Sequence, residues 1–209
     1  MTKIFLQSPA TAGSPRSSVV LTLDHLMEDL RAALHPAPPC QDACQKTCEI
    51  LKHYSNQHIQ LPERLRQPGS PCYARHLIHR QDEDGFCVVA MVWAPGQGTP
   101  VHDHGGTWCV EGCVEGHLAI TSYRLTDQPD PQHVRFEQEE YVEVGKGSVG
   151  CLIPPFEHHK IHNPFSELAI TIHVYGQELR NCTRYLEDGR DIYRVEKVPL
   201  SYSSMPTPC

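Results

Sequence analysis

Residues Thr99 to Gly116 read TPVHDHGGTWCVEGCVEG: two histidines flank an aspartate, a glycine pair follows, and a cysteine stands five residues after the second histidine. In an extended segment alternate side chains share a face, so His102 and His104 can reach one interior point. A turn-rich PGQG precedes them, and the flexible Gly105-Gly106 pair follows. With fourteen histidines in 209 residues, about one His-x-His arises by accident, so the pair alone is a weak signal. Three neutral imidazoles with open coordination positions would suit a first-row divalent ion that accepts outside ligands. The cluster HHKIHN offers His158, His159 and His162 as candidates for the third ligand.

The surroundings of this stretch are short β-prone runs: Tyr73–His79, Phe86–Trp93, Leu118–Leu125, Val134–Val144, Val149–Ile153 and Leu168–Tyr175. DEDG, APGQG, TDQPDPQ, GKG and NPFS separate them as turns or loops, a spacing that means a sandwich or barrel. Upstream, apolar residues recur at helical spacing (Leu23, Leu26, Met27, Leu30, Leu34), predicting a helix over Val20–Leu34 that ends before Pro36. A second helix is expected from Gln41 to Tyr54 and a short helical piece around Leu61–Arg66. Helices first and strands after is α+β order, with the helices packed on a mainly β jelly-roll barrel. The expected divisions are a flexible segment over 1–18, helices over 19–68, the barrel over 69–186 and a polar, mobile extension over 187–209.

Composition excludes several functions. A net charge of −7 with both signs interspersed argues against nucleic acid as a partner. No apolar run has the roughly 20 residues that span a membrane, and the N-terminus lacks an export signal's apolar core. The expected protein is a cytoplasmic monomer. Ten cysteines without any CxxC pair argue against a zinc ribbon or thioredoxin-type site. Cys40, Cys44 and Cys48 fall on one helical face, read as a small-residue packing face; a thiolate metal site there lacks an identifiable fourth ligand.

The motif Gly96-x5-His102-x-His104-x4-Cys109-x6-Gly116 resembles the first cupin motif, with cysteine where the usual glutamate ligand stands. Pro154-x4-His159-x3-Asn163 resembles the second, departing from it at Phe156, the usual glycine, and at Ser148, the opening position. His159 is preferred over His162 because an asparagine follows it four residues later. Together with Tyr73-x-Arg75 and Thr171-x-His173-x-Tyr175, the set is similar to cysteine dioxygenase and its thiol dioxygenase relatives, over Cys72 to Tyr175.

That resemblance implies a cupin barrel in which His102, His104 and His159 hold iron(II). Arg75 then pairs with the substrate carboxylate, flanked by Tyr73. Tyr175 places its hydroxyl near the oxygen site, with His173 hydrogen-bonded to it and Thr171 completing the relay. Cys109 matches the cysteine that in some members becomes covalently linked to the tyrosine; Cys113 is its neighbour in sequence. A guanidinium fork suits a carboxylate because it donates two parallel hydrogen bonds. Arg64, Arg66 and Arg80 are alternatives in sequence. The i, i+2, i+4 spacing of Thr171, His173 and Tyr175 puts them on one strand face, with Ile170, Ile172 and Val174 on the other.

The implied reaction adds both atoms of O2 to the sulfur of L-cysteine, giving the sulfinate. Gly176-Gln177 after Tyr175 looks more like bacterial mercaptoalkanoate dioxygenases, while Arg75 stands where those carry glutamine. 3-Mercaptopropionate is therefore the second substrate reading. A non-catalytic metal-binding cupin or sensor is the alternative from another class, since fold does not fix function.

Overall fold

The computed structural model describes residues 20–80, 85–155 and 157–203. The segment 1–18, expected to be flexible, lies outside them, as do Phe156 and residues 204–209. The elements are β1 (Leu21–Thr22), α1 (Leu23–Leu34), α2 (Cys40–Asn56), β2 (Ile59–Gln60), a 3-10 turn (Glu63–Leu65), β3 (Ala74–Arg80), β4 (Cys87–Trp93), β5 (Val101–His102) and β6 (Cys109–Glu115). The chain continues through β7 (His117–Asp130), β8 (His133–Gly145), β9 (Val149–Leu152), β10 (His159–His162), β11 (Ala169–Tyr175), β12 (Asn181–Glu187) and β13 (Ile192–Pro199). The six expected strands correspond to β3, β4, β7, β8, β9 and β11. Helix α1 starts later than expected, because Leu21–Thr22 pairs with Ile59–Gln60 and Thr22 caps the helix, its hydroxyl accepting from the His25 amide. Among the described residues no helix is long and apolar enough to cross a membrane.

Two strand systems form the barrel. One closes as a ring in the order β10-β5-β12-β13-β8-β7, and the other is a five-stranded sheet, β3-β4-β11-β6-β9. Alternation along the sheet separates two apolar layers. Val88, Val92, Val110, Ile170, Ile172 and Val174 pack with Leu26, Leu30 and Leu51 of the helices. Val89, Met91, Trp93, Cys109 and Tyr175 face the interior instead. Each fully buried leucine contributes roughly 1.5–3 kcal/mol to this packing. Gly112 lets α2 approach closely, because a Cβ there would lie 2.9 Å from Ser55 Oγ.

The C-terminal region differs from expectation. Residues 187–203 are no loose extension: β13 pairs with β12 and β8 within the ring. Beyond it, the Leu200 amide donates to Arg180 O at 2.8 Å and the Ser203 amide to Arg75 O at 2.8 Å. Tyr202 is anchored by hydrogen bonds to Glu178 Oε1 (3.1 Å) and Cys87 Sγ (3.7 Å). The polar composition misled because β12 and β13 bury little on their outer faces, while Cys182 and Tyr193 are buried. Of the three helix cysteines, Cys44 is buried, Cys48 half-buried and Cys40 exposed. Cys151 of β9 meets Cys44 and Cys48 there, and their S–H donors hold its thiol below the usual range.

Candidate active site

The register of the strands assembles a histidine triad. His159 of β10 lies directly opposite His102 of β5. His104 follows past Asp103, whose carboxylate accepts from the Gly105 (3.0 Å) and Thr183 (2.8 Å) amides and ties the turn to β12. Burial opposes ionisation of Asp103, but the Thr183 and Gly105 hydrogen bonds outweigh it and hold its pKa below the usual carboxylate value. Gly105 and Gly106 adopt φ of +60° and +83°, the left-handed conformation this turn requires.

His102, His104 and His159 bring one ring nitrogen each within 4.8 Å of the others. His102 Nδ1 lies 3.2 Å from Pro100 O and His159 Nδ1 2.7 Å from Glu157 O, which leaves Nε2 of each as the ligand atom. Glu157 also accepts from the His104 amide at 3.2 Å and lies 3.5 Å from His104 Nδ1. Neither ring nitrogen of His104 has a hydrogen-bond partner among the described residues, a state that costs about 1–3 kcal/mol per buried group unless a ligand fills it. Burial, reinforced by His104, lowers the His102 pKa to about 3, so its imidazole is neutral at ordinary pH. Three imidazole nitrogens around one point fit a first-row divalent ion. Of the other candidates, His158 turns to Phe136 (5.0 Å between ring centroids) and Tyr185, and His162 is exposed.

Strand β11 lies between β4 and β6 and delivers the remaining polar groups to the interior. Tyr175 pairs with Cys109, and His173 with Glu111. Trp93 Nε1 donates to Thr171 Oγ1 (2.9 Å), which lies 2.8 Å from His173 Nε2. His173 Nδ1 is 3.5 Å from the Tyr175 hydroxyl and 4.0 Å from Cys109 Sγ. The Tyr175 ring stands 5.7 Å from that of His104. Burial raises the Tyr175 and Cys109 pKa values and lowers that of His173, so all three are uncharged near neutrality.

Arg75 of β3 pairs with interior-facing Met91 and is 2 % exposed. Its Nη1 donates to Ser201 O at 3.2 Å, and its guanidinium carbon lies 5.5 Å from the Tyr202 ring centroid. Nη2 is buried and has no hydrogen-bond partner among the described residues. The guanidinium is close enough to oppose the burial-driven rise at Tyr175 and to add to the burial-driven lowering at His173. Tyr73 stacks on Trp93 at 4.4 Å between centroids. The alternative arginines are elsewhere: Arg66 pairs with Glu115, Arg80 with Glu178, and Arg64 is exposed. Cys113 sits opposite Thr171, with its thiol on the carbonyls of Glu115 and Gly116.

Three contributors escaped the sequence reading. Glu111, 4 % exposed, puts Oε2 3.3 Å from His173 Nδ1 and 3.9 Å from His159 Nε2. Its spacing of two from Cys109 in a strand was a usable signal. Glu157 stands beside the histidine cluster in sequence. The Ser201–Tyr202 contact with Arg75 spans 126 residues and has no local signature.

Comparison with known proteins bears on this geometry. The family model described as cysteine dioxygenase type I matches residues 70–188, more than half of the chain. Human cysteine dioxygenase type 1 is 24% identical over 137 residues, covering 63% of each chain. The rat protein of that name is 23% identical over 133 residues, again covering 63% of each. The chain thus matches less than two thirds of the length of these relatives. Among solved structures, a cupin 2 conserved barrel domain protein from Salinispora arenicola aligns with TM-score 0.40 and 18% identity, covering 56% of this chain and 86% of that one. An RmlC-like cupin protein from Desulfovibrio desulfuricans aligns with TM-score 0.39 and 15% identity, covering 54% and 90%.

Proposed function

Since the chain belongs to the cysteine dioxygenase type I family, we propose that it is a non-haem iron(II) thiol dioxygenase acting on L-cysteine, adding both atoms of O2 to the sulfur to give cysteine sulfinate. The observation that carries the reading is Arg75: a buried guanidinium with an unfilled donor, on the same interior wall as the relay beside the histidine triad. A metal-binding module needs no such group, whereas a substrate carboxylate fills it with a charge-assisted hydrogen bond.

In this reading His102, His104 and His159 would hold the iron. Iron(II) bound there supplies Lewis acidity toward a thiol and redox chemistry toward O2. The chain supplies the rest. Arg75, braced by Ser201 O and the Tyr202 ring, fixes the carboxylate end of the substrate. Glu157 accepts from the His104 amide, and imidazole ligands bring no negative charge to the set. Tyr175 presents an undissociated hydroxyl that can donate a hydrogen bond to the reacting oxygen, backed by His173 and Thr171. The buried apolar wall of Val89, Met91 and Leu118 excludes water around it.

The test is oxygen uptake by the iron-loaded protein with L-cysteine, 3-mercaptopropionate and cysteamine. One O2 consumed per sulfinate formed, with the highest kcat/KM for L-cysteine, is expected. A higher kcat/KM for 3-mercaptopropionate, which Gly176-Gln177 favours, would shift the substrate. No uptake with any of the three would leave the non-catalytic reading.

On the same reading, Cys109, opposite Tyr175 in the register of β6 and β11, is expected to form a thioether between its Sγ and a carbon ortho to the tyrosine hydroxyl. Its formation removes one hydrogen from each partner, with O2 as the two-electron oxidant. Peptide mass spectra after turnover are expected to show a Cys109–Tyr175 pair lighter by two hydrogens. Unlinked peptides after many turnovers would sink this expectation. Holding the phenol in place in this way preorganises the donor.

A further inference from the structure

We propose that Tyr202 is a positioning residue for substrate specificity: its ring holds the Arg75 guanidinium in the orientation that presents Nη2 to the carboxylate of a substrate. Strand β3 lies at an edge of the five-stranded sheet, with β4 on one side only. The C-terminal segment covers the chain at Arg75, and Ser201, Tyr202 and Ser203 all take part. Ser203 serves the backbone: its hydroxyl accepts from the Arg75 amide at 2.6 Å, and its own amide donates to Arg75 O at 2.8 Å. Ser201 O accepts from Nη1 at 3.2 Å. Between these two anchors Tyr202 lays its ring 5.5 Å from the guanidinium carbon. A cation over an aromatic face is attracted by the quadrupole of the ring, more strongly where water is excluded, and Arg75 is buried.

The ring is itself fixed. Its hydroxyl donates to Glu178 Oε1 at 3.1 Å and lies 3.7 Å from Cys87 Sγ of β4. Glu178 also accepts from Arg80 Nη1 at 3.2 Å and from Arg180 Nε at 2.8 Å. Its carboxylate is therefore taken up by Arg80, Arg180 and the phenol, while among the described residues Arg75 makes no ion pair. A buried cation with no acid opposite it carries a desolvation cost that a bound carboxylate offsets. An aromatic face holds that cation without occupying its N–H donors, whereas an acidic brace would compete with the ligand. Arginine stands on a long flexible stem, and a ligand that had to order it would bind more weakly. Ser201 and Tyr202 remove that freedom before the ligand arrives.

The role in specificity rests on the dioxygenase reading; the bracing of Arg75 does not, so the two can fail separately. In the iron-loaded enzyme Tyr202→Leu should raise KM for L-cysteine roughly 2- to 30-fold, the span of a cation–π contact. Its kcat should stay within about twofold, because the triad and the relay keep their contacts. The preference for L-cysteine over cysteamine, which has no carboxylate, should fall by the same factor as KM rises. Tyr202→Phe keeps the ring and should recover most of the loss. Nitrogen-15 NMR of the metal-free chain reads the bracing directly, as rotation about the Arg75 Nε–Cζ bond, with the signal assigned by its loss in Arg75→Lys. Slow rotation is expected in the wild type and in Tyr202→Phe, and faster rotation in Tyr202→Leu. Equal losses with both thiols would overturn the proposal. So would a wild-type guanidinium that rotates as freely as an exposed one, a result that needs no variant to fold. If no thiol drives oxygen uptake, the dioxygenase reading fails, and equal rotation rates in the wild type and Tyr202→Leu would then overturn the bracing as well.

Discussion

Replacing His104 by alanine is expected to abolish metal retention and, with it, thiol-dependent oxygen uptake. Among the described residues both buried ring nitrogens of this imidazole lack a hydrogen bond, and the Glu157 carboxylate accepts from its backbone amide. Disturbing a supporting partner of a metal ligand costs 10–100-fold in affinity or activity, so loss of the ligand itself should exceed about 100-fold. Metal analysis after dialysis checks this, with the wild type retaining close to one iron per chain. The alanine variant should still fold, because the deletion relieves an unpaired buried nitrogen while leaving the strand pairing of His102 with His159 intact. A His104→Ala protein that keeps a full iron complement would refute the triad as the metal centre.

The second large effect concerns Arg75. Arg75→Gln removes the charge of a buried group expected to pair with the substrate carboxylate, and such truncations cost about 2–5 kcal/mol. That corresponds to roughly 30- to 5,000-fold in kcat/KM for L-cysteine, carried mainly by KM. Cysteamine, which lacks the carboxylate, separates this effect from general damage: its turnover should change little. The wild type should therefore discriminate strongly between the two thiols, and the variant weakly. Equal losses for both would show that Arg75 acts on the shape of the site and not on the carboxylate. Thermal unfolding of the variant guards the comparison, since Arg75 also donates to Ser201 O.

Much of the fold was legible because its signals are local. The strict alternation of Ala169–Tyr175 separates Ile170, Ile172 and Val174 from Thr171, His173 and Tyr175, and the structure sends the first set to the helices. The strands around the triad were harder to see. Strand β5 has two residues and β10 four, too short for a periodic signal. They are held by pairing with each other and with β7 and β12. The hairpin of β12 and β13 was hidden by polar outward residues, whose placement is set by closure of the ring.

The sequence by itself determined which side chains share a strand face, because a pleated strand alternates regardless of what it packs against. Thus Cys109 and Glu111 lie on one face from spacing alone, and so do the three relay residues. Which of His158, His159 and His162 meets His102 and His104 was decided by the antiparallel register of His159 with His102. The tertiary structure likewise set Glu111 against His173 and folded Ser201 and Tyr202 back onto Arg75. These contacts join residues far apart in the chain, and they exist because closing the barrel brings those strands together.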